Sequence, residues 1–151
     1  MEKLYSPTIG ILKDIAECSD EVFAERILGD GVLVLPDDDK IVSPVDGTID
    51  SIQGTLHAIT IKSDGGNNIL LHCGVDTVKL KGKGFKSFVN VGQHVNVGTL
   101  LVSMDKKIVT DAGYDPSIIL IVADSKKNLK KNNLNERVTI NDVIAEVEDK
   151  I

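Results

Sequence analysis

Two of the three histidines, His57 and His72, are the residues whose placement invites chemistry. They sit in L-H-A-I-T-I and I-L-L-H-C-G-V-D, each in or at the edge of an expected strand. Fifteen residues separate them, and the loop Ser63–Asn68, turning at Asp64–Gly66, would close a hairpin between their strands. Antiparallel pairing would bring both imidazoles to one end of a sheet and onto one face. Two unrelated, separately hydrogen-bonded histidines would fit the same residues. His94, in the polar turn G-Q-H-V, is expected to be exposed.

Adjacent imidazoles can do two kinds of work. They can ligate zinc, with Asp20 or Asp76 as a third ligand, so His57 and His72 are possible incidental zinc ligands. No H-x-H or H-E-x-x-H spacing supports a dedicated metal site, and none is expected. Alternatively, a neutral imidazole attacks phosphorus and forms a covalent phosphoramidate. A second imidazole then donates a hydrogen bond as charge moves onto the phosphoryl oxygens. An unperturbed pKa near 6.5 makes the neutral nucleophile accessible at pH 7. Thr55, on the same face two residues before His57, could hold that ring's tautomer. Asp20 and Asp76 could carry charge for an arginine-bearing partner. Cys73 is a tempting nucleophile, but strand alternation turns it away from His72, so it reads as a small core residue.

The elements that must position these groups read as short strands. Candidates are Thr8–Asp14, Gly31–Leu35, Lys40–Ser43, Thr48–Gln53, His57–Ser63, Asn68–Cys73, Gly98–Met104, Ile118–Ala123 and Asp142–Glu148. One helical turn is expected over Asp20–Ile27, capped by Ser19 or Asp20, with Val22, Phe23 and Ile27 on one face. Lys126–Asn133, polar throughout, reads as an exposed loop. The alternating Lys79, Lys81, Lys83 and Lys86 read as the solvated face of a strand or as a phosphate patch. S-P-T-I-G-I-L at Ser6 echoes S-P-V-D-G-T-I at Ser43, and V-G-Q-H-V-N-V-G-T-L-L-V from Val91 echoes L-N-E-R-V-T-I-N-D-V-I-A from Leu134. These echoes suggest one duplicated β-sandwich.

Composition narrows the function classes. Length fits a single domain over residues 1–151, large enough to hold a core. Seventeen Lys and Arg against 23 Asp and Glu give a net charge of −6, which argues against nucleic acid as a partner. Aromatics at 3% offer no stacking platform. No apolar run is long enough to span a bilayer and no secretory signal opens the chain. Two cysteines, Cys18 and Cys73, form no framework, so a reducing cytoplasmic setting is expected. Residues 1–75 carry 5 basic and 13 acidic groups, whereas residues 76–151 carry 12 basic and 10 acidic. Such asymmetry suits either ordinary solvated loops or an electrostatic face that orients a partner.

The segment H-A-I-T-I-K-S-D-G-G-N-N-I-L-L-H-C-G-V-D-T-V-K-L-K-G-K-G-F resembles the glucose-type enzyme IIA domain of the bacterial phosphoenolpyruvate-dependent sugar phosphotransferase system. So do D-E-V-F-A-E-R-I-L-G-D-G, S-P-V-D-G-T-I and G-Q-H-V-N-V-G-T-L-L-V, and the resemblance runs from about Ser6 to the C-terminus. It implies an all-β fold: an antiparallel β-sandwich with a duplicated hybrid motif and little helix. It implies a phosphocarrier that accepts a phosphoryl group from phospho-HPr and passes it to the cysteine of a sugar-specific IIB domain. The phosphorylated histidine falls on His72 and the second histidine on His57, with Thr55 bonding it. The backbone carbonyl of Gly74 orients the His72 ring, and Asp20 and Asp76 flank the site. An exposed apolar collar for partners falls on Val22, Phe23, Leu28 and Val78. No cofactor is implied beyond the phosphoryl group on His72, and membranes are reached only through the IIBC permease.

Three features depart from the family pattern. Cys73 replaces a bulky apolar residue, Lys79 and Lys83 stand where relatives are often acidic, and Lys106–Pro116 lacks the usual leucine-rich helical turn. The short N-terminus fits either a stand-alone protein or a trimmed permease domain. Two rival readings use other residues. A biotin- or lipoyl-carrier-like module would explain V-G-Q-H-V-N-V-G-T-L-L-V-S-M-D-K-K and would be modified on Lys106. A zinc hydrolase of the duplicated-sandwich type would need a third ligand.

Overall fold

A computed structural model describes residues 2–124 and 126–149. Fourteen strands are found among them: β1 (Glu2–Tyr5), β2 (Gly10–Asp14), β3 (Asp30–Pro36), β4 (Lys40–Val42), β5 (Gly47–Ile52), β6 (Ala58–Ser63), β7 (Asn68–Val75), β8 (Phe85–Ser87), β9 (His94–Val95), β10 (Leu100–Met104), β11 (Asp115–Val122), β12 (Lys127–Lys131), β13 (Arg137–Val138) and β14 (Val143–Asp149). Two short helices, α1 (Glu21–Ala24) and α2 (Lys106–Asp111), and two 3-10 turns complete the described elements.

Eight strands form one antiparallel sheet in the order β13-β2-β3-β11-β7-β6-β5-β9. Two three-stranded sheets, β1-β14-β12 and β4-β10-β8, supply the other layer. Leu4, Ile144 and Val147 from one, and Ile41, Leu101 and Met104 from the other, join Leu12, Val34, Ile61, Leu71, Cys73 and Leu120 of the large sheet in one core. The fold is the antiparallel β-sandwich expected from the sequence echoes and from the family resemblance, where strand spacing alone suits a sandwich or a barrel.

The sequence echo is a structural one. In the first copy Gly10 pairs with Val138, and in the second Gly47 pairs with Val95. Ahead of each glycine a buried serine turns the chain: Ser6 Oγ donates to the Thr8 carbonyl and Ser43 Oγ to the Val45 carbonyl, both at 2.6 Å. The central strand β11 is covered on both faces. This is why β11 reads as an unbroken apolar run, Ile118–Val122, rather than an alternating one. Its outward residues Ile119 and Ile121 pack with Ile15, Cys18, Phe23, Leu33 and Val75 in a smaller second core beneath α1.

Two expectations need correction, and one segment that the sequence leaves open takes a definite form. Lys126–Asn133 is no simple loop: Lys127–Lys131 pairs with β14 as an edge strand. Its lysine content hid this, because Lys131 is drawn inward to bridge Asp14 and Asp30, leaving its side chain only 11% exposed. Lys106–Asp111 is helical despite lacking leucines, because the Asp105 side chain accepts from the amides of Lys107 and Ile108 at its start and Val109 is buried. The alternating lysines do not share a strand: Thr77–Leu80 is a 3-10 turn, and Lys81 is left-handed with φ 55°.

Close approach of strands at the serine turns sets a testable limit. A Cβ on Gly10 would lie 2.0 Å from the Leu35 carbonyl oxygen, on the partner strand itself. Gly10→Ala is therefore expected to destabilise the fold by about 3 kcal/mol through forced strand separation. Gly54→Ala, where a Cβ meets nothing within 4 Å, should shift the urea midpoint hardly at all. Equal midpoints for the two variants would contradict the packing described.

Candidate functional site

β6 and β7 form the expected hairpin, with Ala58 opposite His72. His57 precedes β6 directly and its carbonyl accepts from the Cys73 amide at 2.7 Å, which locks the end of the hairpin. The two imidazoles lie with ring centroids 5.0 Å apart and planes at 78°, edge to face. Alternation sends Cys73 to the opposite face, where it is fully buried in the main core. Burial pushes its thiol up to about 12, so it remains an unreactive thiol at neutral pH.

Each imidazole is held by one nitrogen. His72 Nδ1 lies 2.6 Å from the Gly74 carbonyl oxygen, which can only accept, so Nδ1 carries the proton and Nε2 keeps its lone pair. That bond requires the chain to turn back immediately after His72, and Gly74 does so with φ 77°. A Cβ there would also strike Thr77 Cγ2 at 2.4 Å. Thr77 Oγ1 in turn donates to the Cys73 carbonyl at 2.5 Å, tying the turn down. His57 Nδ1 lies 2.6 Å from Thr55 Oγ1, so its Nε2 too is left for the site. Between them Leu56 is left-handed at φ 62°, a strained conformation for leucine that brings Thr55 and His57 onto the same side.

The surroundings favour neutral rings. Burial lowers the His57 pKa below its ordinary value, and the neighbouring His72 lowers it further. Burial also lowers that of His72, against the opposing pull of the Gly74 carbonyl and the charges of Asp20 and Asp76. Asp20 is fixed by capping α1, accepting from the Val22 amide at 2.8 Å. Asp76 follows β7 directly in a left-handed conformation. A cleft of about 500 Å³ beside them is lined by Ser19, Asp20, Val75, Asp76, Tyr114 and Asp115. The sequence reading passed over Asp115. It accepts from Ser19 Oγ at 2.7 Å and Ser117 Oγ at 2.6 Å, and its place beside the site follows only from β11 pairing with β7. No group of three or more His, Cys, Asp or Glu side chains poised for a metal is found among the described residues, so the zinc-hydrolase reading lacks its third ligand. Lys106 opens α2 and its Nζ donates to the Pro36 carbonyl at 3.3 Å, unlike the free lysine a carrier module would present.

The apolar collar is only partly as expected. Val22, Leu28 and Val78 are exposed at 45%, 44% and 48%, and Ile27 joins them at 65%. Phe23 is not: at 7% exposure its ring packs on the His72 imidazole, with centroids 5.0 Å apart, and on the second core. The helix is only four residues long, so one side chain suffices to anchor it, and the larger ring supplies the most buried area. Val22 and Ile27, expected on one face with Phe23, point outward while Phe23 points inward, so the three do not share a face. His94 lies at the rim of β9, half exposed, beside the Asp64 carboxylate at 3.0 Å.

The histidine environment has a measurable consequence. Both folded pKa values lie below the unfolded value near 6.5, so neutral rings stabilise the fold fully above that pH. This contribution is lost as pH falls through the folded values. NMR titration should give His57 and His72 midpoints below 6.5, and between pH 7 and pH 5 the wild type should lose stability more steeply than the His57→Gln/His72→Gln double variant. Midpoints above 6.5 would contradict the desolvation argument.

The chain is similar to known proteins in family, sequence and fold. The family described as phosphoenolpyruvate-dependent sugar phosphotransferase system, EIIA 1, matches residues 2–128. The glucose-specific EIICBA component of Staphylococcus saprophyticus is 41% identical over 145 residues, 95% of this chain but only 20% of that protein. The glucose-specific EIIA component of Bacillus cereus is 39% identical over 131 residues, covering 85% of this chain and 79% of that protein. The solved glucose permease IIA of Mycoplasma capricolum superposes with a TM-score of 0.86 at 38% identity, covering 95% of this chain and 94% of that one. A duplicated sandwich with paired histidines on one hairpin, matched over most of its length by family and relatives alike, belongs to the EIIA 1 family of the phosphoenolpyruvate-dependent sugar phosphotransferase system.

Proposed function

We propose that this protein is a phosphocarrier, taking a phosphoryl group from phospho-HPr onto His72 and passing it to the cysteine of a sugar-specific IIB domain. The observation that carries the reading is the His72 Nδ1 bond to the Gly74 carbonyl, which leaves Nε2 as the only free nucleophilic nitrogen of that ring. The Nε2 lone pair attacks phosphorus as the bond from phosphorus to the donor atom breaks. The product ring is positively charged and protonated on Nδ1, and the Gly74 carbonyl stabilises it. In the second step the acceptor thiolate attacks phosphorus, the Nε2–P bond breaks, and its electron pair returns to Nε2. His57, held at Nδ1 by Thr55 and with its ring centroid 5.0 Å from that of His72, donates from Nε2 to the phosphoryl oxygens without itself being phosphorylated.

Partners dock on Val22, Leu28 and Val78, with Ile27 added, while Asp20 and Asp76 meet cationic groups. Phe23 acts from beneath, as a brace for His72 rather than a contact surface. The phosphoryl group travels covalently and no cofactor is required. No helix among the described residues is long and apolar enough to cross a membrane, and the reading places the protein in the cytoplasm, reaching the membrane through the IIBC permease. The fusion named in the Staphylococcus relative supports IIB as the acceptor.

Incubation with phosphoenolpyruvate, enzyme I and HPr tests the assignment. His72→Gln should take up no acid-labile phosphate. His57→Gln should be labelled by phospho-HPr yet deliver phosphate to IIB at least a hundredfold more slowly. Normal labelling of His72→Gln would overturn the assignment, and a folded His57→Gln that takes up none would merge the two roles.

A further inference from the structure

Leu35 apart, the exposed large apolar side chains fall into two groups with opposite charge around them. Val22, Ile27 and Leu28 belong to residues 17–30, which carry five carboxylates and one arginine, and Arg26 is already bridged to Asp14 and Asp30. Val78, Phe88 and Val91 belong to residues 77–104, which carry four lysines and no carboxylate. Lys79, Lys81, Lys83 and Lys86 are all exposed. None of the four pairs with a carboxylate among the described residues; Lys86 instead lies over the Phe88 ring, 5.2 Å from its centroid. Paired cations are common elsewhere, at Lys107, Lys131 and Arg137. An uncompensated run of lysines in a chain of net charge −6 is therefore a local feature.

The α1 side borders His72, while the lysine turn leaves Asp76 beside His72 and runs on to the His57 side. The α1 side reaches His72 through Phe23, with ring centroids 5.0 Å apart. The lysine turn reaches His57 through Thr55, because the Cβ position of Gly82 lies 3.9 Å from the Thr55 carbonyl oxygen. Leu56, adjoining His57, lines a cleft of about 570 Å³ with Ile52, Phe88 and Val91, so the apolar surface continues from the lysine side to the same loop. We infer that the docking face is bipolar across the two imidazoles, acidic at the His72 end and basic at the His57 end. The partner it fits is a protein domain with an apolar centre, a guanidinium or ammonium group facing α1, and carboxylates facing Lys79–Lys86. Such a face fixes the angle at which a partner arrives, which matters when a phosphoryl group must pass in line between two atoms.

This inference rests on the phosphocarrier reading, and the test separates the two. The variant is Lys79→Glu/Lys83→Glu, whose side chains touch neither histidine. Phosphoryl transfer from phospho-HPr, and onward to a purified glucose-type IIB domain, is followed in the pre-steady state from 20 mM to 500 mM salt. At low salt the association rate of at least one of the two steps should fall about tenfold, and the difference should vanish at high salt, where charges are screened within about 4 Å. An unchanged thermal midpoint shows that the variant is folded. Unaltered rates in both steps at low salt, or faster ones, would overturn the bipolar face while leaving the phosphocarrier reading intact. Failure of the wild type to take phosphate on His72 would overturn both.

Discussion

The hydrogen bond from His72 Nδ1 to the Gly74 carbonyl, at 2.6 Å, governs which nitrogen of the ring can react. It joins residues only two apart, so an ordinary extended strand cannot make it. The chain leaves β7 in a left-handed turn at Gly74, then another at Asp76, before the 3-10 turn begins at Thr77. Thr77 is fully buried, and its hydroxyl anchors the turn to Cys73. The same departure delivers Asp76 to the rim and Val78 to the surface. One backbone reversal thus sets the tautomer, the local charge and part of the exposed apolar surface.

Desolvation and electrostatics compete at this pair. Burial disfavours imidazolium at both rings, and Asp20 and Asp76 partly offset it at His72 alone. The outcome is a neutral ring whose cationic form, as in the proposed phosphohistidine, still finds compensation in nearby carboxylates and a carbonyl. His57 has no carboxylate contributing in this way; its ring is neutralised by burial and by its neighbour. The difference in environment suits two identical side chains to the different roles proposed for them, nucleophile and stabiliser. Buried Cys73, one residue from His72, is kept out of the site simply by facing the main core.

Much of this was legible in the sequence because β periodicity and hairpin closure are local. Placing His57 and His72 on one end of a hairpin needed only the turn at Asp64–Gly66 and alternation, and the serine echoes at Ser6 and Ser43 mark the two copies of one unit. What failed depended on contacts distant in sequence. Phe23 is buried because β11 brings Ile119 beneath α1, a pairing between residues far apart along the chain. Lys127–Lys131 forms a strand because Asp14 and Asp30 lie across from Lys131 and β14 supplies an edge. Asp115 joins the site through the same β11–β7 register. A left-handed leucine at position 56 carries no sequence signal, since leucine rarely adopts that conformation.

The central claim is that a carbonyl-clamped His72 presents Nε2 to phosphorus. Nitrogen-15 NMR of the imidazole rings, before and after phosphorylation by phosphoenolpyruvate, enzyme I and HPr, tests it most directly. The account predicts a His72 ring protonated on Nδ1 in the free protein, with phosphorus coupling appearing on Nε2 of the same ring afterwards. Coupling on Nδ1 of His72, or on either nitrogen of His57, would contradict it.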